Sequence, residues 1–454
     1  MKYTHIIRPA ILAAAIAMAM PQSVGAQGPY TIYRPDNAYS WESDLHHRLE
    51  VDFCKTKDEV VAEIRRYIPD VSEAQLAAWE RSGALETRTI DGKKLYFYAA
   101  ARNLFRIDPI CHAIKVEKDG GETDENVATR SANVRAVMKE CAQSADRMGE
   151  PKHFHMRYTI TVEADAVPAG QTVRCWMPLP RTDVARQRDV KLLSTSEKKY
   201  VRAPQNYAHN TVYMEKKAVK GKPTVFQEEF EYTSYGQWMD LKETDFAPYD
   251  TASTLYKTYT SERNAHVVFT PRLRQLAARL TLGARTPLEK LRRIFDYVDA
   301  NFPWASAREY STIENIPEYV LENHHGDCGQ VTLLFVTLAR IAGIPARFQS
   351  GFMMHPGEKG LHDWGEFYVE GKGWVPVDMS FGRPSYAQNE AETYFYLGGI
   401  DSYRMVVNND FGAALYPAKR YPRSETVDFQ RGEVEWDGGN LYFDKWDWSL
   451  DYAE

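Results

Sequence analysis

The feature that most constrains this chain is an apolar run that begins at a cysteine, in GDCGQVTLLFVTLARIAGIPARF, residues 326–348. Its apolar residues recur at helical spacing over a broad surface, so the sequence predicts a largely buried helix. Asp327 is a typical N-cap, and Gly343 followed by Pro345 ends the helix. Cys328 then lies in the first turn, where the partial positive charge of the helix terminus favours thiolate over thiol. Because Asp327 opposes this effect, a reactive Cys328 needs a cationic histidine partner.

The residues that could act with this thiol lie in a predicted β-hairpin, LHDWGEFYVEGKGWVPVD, residues 361–378. Alternating aromatic and branched residues indicate two strands, with GKG at the turn. His362 opens the first strand and Asp378 closes the second, so both lie toward one open end. A three-residue turn at GKG places Asp378 opposite Glu366, so a contact with His362 requires twist, a bulge or another turn length. With Cys328, the chain offers a nucleophile, a base and an orienting carboxylate, as thiol acyl transfer requires.

These two blocks resemble the transglutaminase-like superfamily, whose core is a papain-like fold. In that family a cysteine starts a buried helix, GIPAR leads into a strand, and histidine and tryptophan open the next strand. The resemblance implies Cys328 as nucleophile, His362 as base and Asp378 as orienter, and it implies neither a metal nor an organic cofactor. One departure is HDW, where an apolar or small residue often separates histidine from tryptophan. In a regular strand Asp363 is expected to point away from His362.

The oxyanion that forms during such a reaction has two candidate sites. The backbone N–H of Cys328 at the helix start is the physical default. Because some family members use an upstream aromatic residue, the resemblance makes Trp304 the second candidate, and Trp364 is a further candidate for the cleft. A tryptophan packed in the core near a helix end explains Trp304 equally well.

Two histidines, His324 and His325, directly precede the cysteine block. Together with Cys328 they could form a zinc site on paper. Adjacent histidines rarely face one ion, however, and the spacing of known zinc motifs is missing here. We therefore expect these histidines to line the cleft or to cap a helix.

The texture of the sequence predicts an α+β protein built from five parts. The catalytic core is expected to pack the cysteine helix on an antiparallel sheet. The parts are a signal peptide at 1–26, a mainly helical region at 27–150, a β-sandwich-like module at 151–245, the core at 246–383, and an aromatic-rich β or extended segment at 384–454 packed on the core. A carbohydrate-binding role for the aromatic segment is the alternative, but packed strands need the same residues.

The first residues are typical of a secretory signal. Lys2 and Arg8 precede an apolar stretch, and VGA at residues 24–26 is a small-residue cleavage site. The stretch is too short to span a bilayer comfortably, and no later run approaches about 20 apolar residues. We therefore expect an exported protein, periplasmic or extracellular, that is soluble after the signal is removed and has no membrane span.

The charge of the chain bears on the class of binding partner. The formal net charge of -6 is dispersed along the chain, which argues against nucleic acid as a partner.

Four cysteines lie in the first half of the chain, and an oxidising compartment permits disulfides among them without fixing the pairing. Reduced buried thiols are an equally good interpretation, and the odd count leaves Cys328 unpaired. The four are Cys54, Cys111, Cys141 and Cys175.

These observations predict an exported cysteine enzyme that acts on amide or peptide bonds through a thioester, with water as the final acceptor. The expected partner is a protein or peptide, such as a cell-wall peptide; the oligomeric state is open. Two alternatives remain: a cross-linking acyltransferase that uses an amine in place of water, and an envelope binding or adhesion protein that keeps the fold without turnover.

Overall fold

The computed structural model describes residues 39–121 and 124–453. The predicted signal peptide lies outside these residues. In chain order the helices are α1 (Trp41–Asp52), α2 (Lys57–Arg65), α3 (Glu73–Arg81), α4 (Ala100–Ile107), α5 (Pro109–Asp119), α6 (Asp124–Gln143), α7 (Thr254–Tyr259), α8 (Pro271–Leu280), α9 (Pro287–Asn301), α10 (Ile316–Asn323), α11 (Cys328–Ile341) and α12 (Glu390–Thr393). In the described part of the chain, none of them has both the length and the apolar character needed to cross a bilayer.

The strands form a small hairpin and three larger sheets. They are β1 (Thr87–Ile90), β2 (Lys93–Tyr96), β3 (Met148–Val162), β4 (Thr172–Pro178), β5 (Gln187–Thr195), β6 (Tyr200–Arg202), β7 (Thr211–Lys217), β8 (Thr224–Trp238), β9 (Ala346–His355), β10 (Glu358–Val369), β11 (Gly373–Val377), β12 (Gly399–Ile400), β13 (Arg404–Asn408), β14 (Glu433–Trp436), β15 (Gly439–Leu441) and β16 (Trp446–Ala453). The predicted α+β class is confirmed.

The core is built around α11, which begins at Cys328 as predicted. Nearly the whole helix is buried, because its apolar residues cover more than one face. It packs on an antiparallel sheet with strand order β11-β10-β9-β13, which we name the core sheet. The helix ends near Gly343, whose φ of 80° lies in the left-handed region that glycine adopts readily. The core sheet and α11 together position the candidate site.

The β10–β11 hairpin has a different register from the one expected. Val369 pairs with Gly373 and Glu366 pairs with Pro376, so the second strand already begins at the last glycine of GKG. Gly371 and Gly373 both have positive φ, which lets the chain reverse at this point. The expected pairing of Asp378 with Glu366 is therefore wrong: the observed register moves Asp378 two residues closer to the His362 end.

The predicted sandwich is made of two antiparallel sheets that share one apolar core. One sheet has the order β12-β8-β3-β16, with β5 also paired to β8, and the other has the order β15-β14-β4-β7-β6. Their shared core includes Trp176 and Phe230, and Phe352 and Met405 of the core sheet also lie in it. The sandwich therefore packs directly against the core sheet.

The C-terminal segment enters all three larger sheets. Strand β13 pairs with β9 in the core sheet, β14 pairs with β4, and β16 runs antiparallel to β3 over its whole length. The expectation that this segment only packs on the core is therefore too narrow. A single sequence does not reveal such pairings, because the partners of β14 and β16 lie more than 250 residues earlier in the chain.

The N-terminal region is mainly helical, as predicted, but it belongs to two bodies. Helices α1 to α5 and the β1–β2 hairpin surround a small core of their own that contains Phe53 and Phe97. Helix α6 instead inserts Val134, Val137 and Cys141 into the large core that contains α11. Residues of α6 can therefore border the candidate site.

Candidate active site

Cys328 occupies the first position of α11, directly after its N-cap. Asp327 caps the helix, because its side chain accepts a hydrogen bond from the backbone N–H of Gln330. The side-chain oxygen of Gln330 in turn accepts from the backbone N–H of Asp327. The thiol is 9% exposed and donates to Asp363 Oδ2 at 3.3 Å. The capping box thus fixes the position of the sulfur at the mouth of the helix.

His362 and Asp378 are in direct contact, as the predicted mechanism requires. His362 Nε2 lies 2.8 Å from Asp378 Oδ2. A carboxylate only accepts hydrogen bonds, so Nε2 carries the hydrogen and Nδ1 of the neutral ring is left as an acceptor. This tautomer leaves Nδ1 able to take a proton from a thiol.

Asp378 is anchored by several groups besides His362. Its Oδ1 accepts from the backbone N–H groups of Ser380 and Phe381 at 3.0 and 3.2 Å. Arg404 of β13 brings Nη1 to 3.1 Å from Oδ2. Burial alone would raise the pKa of Asp378, but His362 and Arg404 hold that pKa below its ordinary value. Asp378 is therefore ionised where it meets the imidazole.

Cys328 and His362 line the same cleft, whose volume is about 460 Å³. The cleft lies between α6, the loop before α10, the core sheet and the segment that follows β11. Its lining includes Arg130, Trp304, Lys359, Phe381, Arg383 and Tyr386. The structure thus brings all three residues of the predicted site together, since Asp378 lies directly behind His362.

The ionisation states of the site differ from the expectation for a helix terminus. Burial raises the pKa of the Cys328 thiol well above its ordinary value, and Asp363 and Asp327 raise it further. Burial lowers the pKa of His362, although Asp378 opposes this effect. The free site therefore holds a neutral thiol and a neutral imidazole. Proton transfer has to accompany attack by the sulfur.

The two candidate tryptophans lie in different environments. Trp304 is 44% exposed at the cleft, with the guanidinium of Arg106 4.4 Å from its ring centroid. Trp364 is fully buried, and its Nε1 donates to Gln349 Oε1 at 2.5 Å. Trp364 therefore packs behind His362, and its predicted place in the cleft is wrong. The strand alternation that puts it on the His362 face also carries it below the surface.

The histidines before the cysteine support local structure. His324 follows α10 with a left-handed φ of 56°, and its backbone N–H donates to Val320 O. His325 is buried, and its Nδ1 lies 2.8 Å from Asn323 O. Neither residue belongs to the lining of the cleft. The capping half of the expectation describes His324, and the cleft-lining half is wrong for both.

All five cysteines are free thiols in the structure. Cys54 is exposed, whereas Cys111, Cys141 and Cys175 are buried like Cys328. The disulfides that the compartment would permit are therefore not formed, and the alternative of reduced thiols describes the structure.

Three polar residues of the site were not found by sequence reasoning. Asp363 points away from His362 as expected, but the face it points to is that of α11, where it meets Cys328. Gln430 donates from Nε2 to Asp363 Oδ1 at 2.9 Å and to the backbone oxygen of His362 at 2.8 Å. Arg404 is the third. Asp363 had a usable signal, because a charged residue at an apolar position facing a buried helix is unusual.

The stretch that carries Cys328, His362 and Asp378 matches a known protein family. Residues 274–379 match the family model described as the transglutaminase-like superfamily. The chain is 29% identical to the uncharacterised protein YebA of Bacillus subtilis over 135 residues. The aligned region covers 26% of this chain and 18% of YebA. The chain thus spans less than a fifth of the length of that relative.

Two solved structures are similar in outline. A proposed cysteine protease from Cytophaga hutchinsonii shares 13% identity and a TM-score of 0.46, covering 67% of this chain and 91% of that one. The periplasmic domain of TgpA from Pseudomonas aeruginosa shares 13% identity and a TM-score of 0.27, covering 54% of this chain and 90% of that one.

The site thus lies on an α+β core in which a buried helix that begins at a cysteine packs on an antiparallel sheet. Most of this core, residues 274–379, is the stretch that matches the transglutaminase-like superfamily model.

Proposed function

We propose that this protein is a cysteine enzyme that hydrolyses amide or peptide bonds through a thioester on Cys328. The observation that carries the proposal is that Cys328 shares a cleft with His362, whose Nε2 is bound to the buried Asp378. This is the nucleophile, base and orienter arrangement of covalent acyl transfer. Its position on a transglutaminase-like domain supports the same chemistry.

The geometry permits a balanced reaction sequence. His362 Nδ1 accepts the thiol proton while Cys328 Sγ attacks the substrate carbonyl carbon, and Asp378 stabilises the imidazolium that forms. The amine leaves with the proton from His362, and a thioester to Cys328 remains. A water molecule then gives a proton to His362, attacks the thioester and releases the acid and the free thiol. The N–H groups at the start of α11 face the developing oxyanion, and Trp304 lies at the cleft beside them.

Charge in the cleft favours water over a lysine side chain as the acceptor. Arg130, Lys359 and Arg383 line it, with Glu358 as the acidic residue among the lining residues. Glu358 Oε2 is 3.7 Å from Arg130 Nη1 and is therefore already paired. Arg383 is itself paired with Asp299, but an incoming ammonium group finds no unpaired carboxylate among these lining residues. We therefore propose a hydrolase, with a cross-linking acyltransferase as the alternative.

The proposal extends to compartment and partners. The predicted signal at 1–26 makes the enzyme an exported one, periplasmic or extracellular, and its substrate a protein or peptide such as a cell-wall peptide. The chemistry uses the side chains of this chain alone and needs no cofactor.

The test incubates the full chain with a peptide library, with and without a fluorescent alkylamine, and analyses products by mass spectrometry. We expect hydrolysed peptides from the wild type and none from the Cys328→Ala variant. Amine incorporation that exceeds hydrolysis would establish the acyltransferase instead. Absence of both products, in a protein whose Cys328 remains alkylatable, would overturn the enzyme proposal in favour of a binding protein.

A further inference from the structure

An acidic residue outside the proposed triad of Cys328, His362 and Asp378 touches the proposed nucleophile. Asp363 Oδ2 is 3.3 Å from Cys328 Sγ, and its side chain is almost fully buried. His362 and Asp363 are neighbours on β10, so they point to opposite faces of the core sheet. The sulfur of Cys328 therefore contacts the buried carboxyl group of Asp363 and also borders the cleft that His362 lines.

The position of Asp363 is fixed by its neighbours. Its Oδ1 accepts from Gln430 Nε2 at 2.9 Å, which directs Oδ2 toward the sulfur. Tyr310 Oη lies 3.5 Å from Oδ2 but donates its hydrogen to Asp327 Oδ1 at 2.6 Å. A hydroxyl group has one hydrogen, so while Tyr310 donates to Asp327 its oxygen is able to accept from a protonated Asp363. Both groups facing Oδ2, this oxygen and a thiolate, accept hydrogen bonds from a protonated carboxyl group.

The surrounding charges also favour a protonated Asp363. Burial raises the pKa of Asp363 well above the ordinary value and Asp327 raises it further, although the contacts with Cys328 and Tyr310 oppose this shift. The nearby cation, Arg431, is already held by Glu309 and Glu425. The ionisable groups around Asp363 are Cys328 and Asp327 at the start of α11, Glu309 and Tyr310 before α10, and Glu425, Asp428 and Arg431 in the C-terminal segment.

We propose that Asp363 is a catalytic residue that keeps its own proton while Cys328 reacts and donates it as a hydrogen bond to the thiolate. The proposal rests on the proposed role of Cys328 as nucleophile. The thiol proton goes to His362 and the Asp363 proton stays on its carboxyl group, so this step adds no atom or electron to the reaction. When Asp363 loses its proton, two negative charges within 3.3 Å oppose each other and the thiolate is suppressed.

The test is the pH dependence of iodoacetamide alkylation at Cys328, resolved by mass spectrometry of the peptide that contains it. Two variants are compared with the wild type. Asp363→Asn keeps one acceptor for Gln430 and one donor for the sulfur but cannot ionise, and Asp363→Ala has no donor. His362 is common to all three proteins, so differences report Asp363.

Above the pH at which His362 loses its proton, we expect the wild-type rate to rise with pH in two steps, because Cys328 and Asp363 titrate as a pair. Asp363→Asn should rise in one step and exceed the wild type several-fold between the two wild-type steps. Asp363→Ala should react about tenfold more slowly than Asp363→Asn below the thiol pKa, since a hydrogen bond to a charged group is lost. The exposed Asp451→Asn is the matched control and should keep both steps.

A wild-type profile with a single step above the His362 limb would overturn the proposal, as would equal rates for the asparagine and alanine variants. Thermal unfolding confirms that each variant is folded; if the alanine variant is not, the wild-type and asparagine profiles still decide the matter. Alkylation needs no amide substrate. Failure to hydrolyse peptides would therefore overturn the proposed hydrolase, but the alkylation rates would still test the role of Asp363.

Discussion

Arg404 Nη1 and Asp378 Oδ2 lie 3.1 Å apart, and both side chains are fully buried. The same guanidinium bonds to Asp401 through Nε and Nη2, and Asp401 is in turn 3.2 Å from His355. Arg404 belongs to β13, which lies at the edge of the core sheet. The carboxylate that orients His362 is thus held by a residue more than twenty positions further along the chain.

Replacing Arg404 should change the pH dependence of the site. Burial holds the pKa of His362 below 6.5, and Arg404 lowers it further by repelling the imidazolium. The wild-type acid limb should therefore lie below pH 6.5. Arg404→Gln should raise the pKa of His362 and move this limb to higher pH by about one unit, for example in alkylation or peptide hydrolysis.

The control for this prediction is Arg404→Lys, which keeps the charge and should leave the acid limb near its wild-type position. Arg404→Gln also leaves two buried carboxylates with less compensation, so its free energy of unfolding should fall by about 3–5 kcal/mol. An unshifted acid limb in a folded Arg404→Gln protein would limit Arg404 to a structural role.

The proposed base and orienter can be tested by labelling and turnover. His362→Ala should sharply slow iodoacetamide labelling of Cys328, because the proton acceptor for the thiol is lost. Asp378→Asn should lower kcat by about 10³–10⁴-fold, because it favours the wrong imidazole tautomer. The exposed His153→Ala is the control. Labelling has to be resolved by residue because Cys54 is also exposed. Equal labelling rates in wild type and His362→Ala would contradict the assignment of His362.

The glycine after the nucleophile is predicted to be essential for the site. A Cβ at Gly329 would lie 2.3 Å from Tyr310 Oη and 2.7 Å from Asp363 Oδ2. Gly329→Ala should therefore displace these groups, slow alkylation of Cys328 and lower the free energy of unfolding by about 1–3 kcal/mol. The trend within a helix is the opposite, since alanine normally stabilises it by about 1 kcal/mol relative to glycine.

Gly360→Ala on β10 is the matched control, because its Cβ would meet the nearest atom, Met353 Cε, at 3.7 Å. It should alkylate like the wild type. Chemical denaturation and alkylation rates of both variants provide the measurement. A Gly329→Ala protein more stable than the wild type would show that the site has room for the methyl group.

Stability should also depend on a buried acid in the sandwich. Glu228 on β8 is fully buried, and neither carboxylate oxygen has a hydrogen-bond partner among the described residues. Burial raises its pKa well above the ordinary value. A protonated Glu228 therefore contributes its full stability to the folded protein below about pH 4.3, the pKa of glutamate in the unfolded chain. This stability is lost as the pH rises toward the pKa of Glu228 in the folded protein.

Glu228→Gln cannot ionise, so its stability relative to the wild type should increase between pH 4 and pH 8, by up to about 1.4 kcal/mol per pH unit. Thermal unfolding at several pH values measures this difference. The exposed Glu163→Gln should instead follow the wild type at every pH. A constant difference between Glu228→Gln and wild type would mean that Glu228 finds a partner in solution.

The sequence predicts the local geometry best where its signals are local. The apolar spacing and caps of α11 predict its start at Cys328, and the hairpin predicts that His362 and Asp378 share an end. The register came out two residues off, because it depends on which glycine of GKG begins the strand. Arg404 and Gln430 had no such signal. They reach the site only through long-range pairing and packing, which a single sequence does not encode visibly.

The C-terminal segment has a consequence for the order in which the protein matures. During synthesis, Cys328, His362 and Asp378 emerge before Arg404 and Gln430, and before the strands that close the sandwich. An incomplete chain therefore carries the thiol and the imidazole without the residues that hold Asp378 and Asp363 in place. The proposed site is therefore complete only after the last strands have joined their sheets.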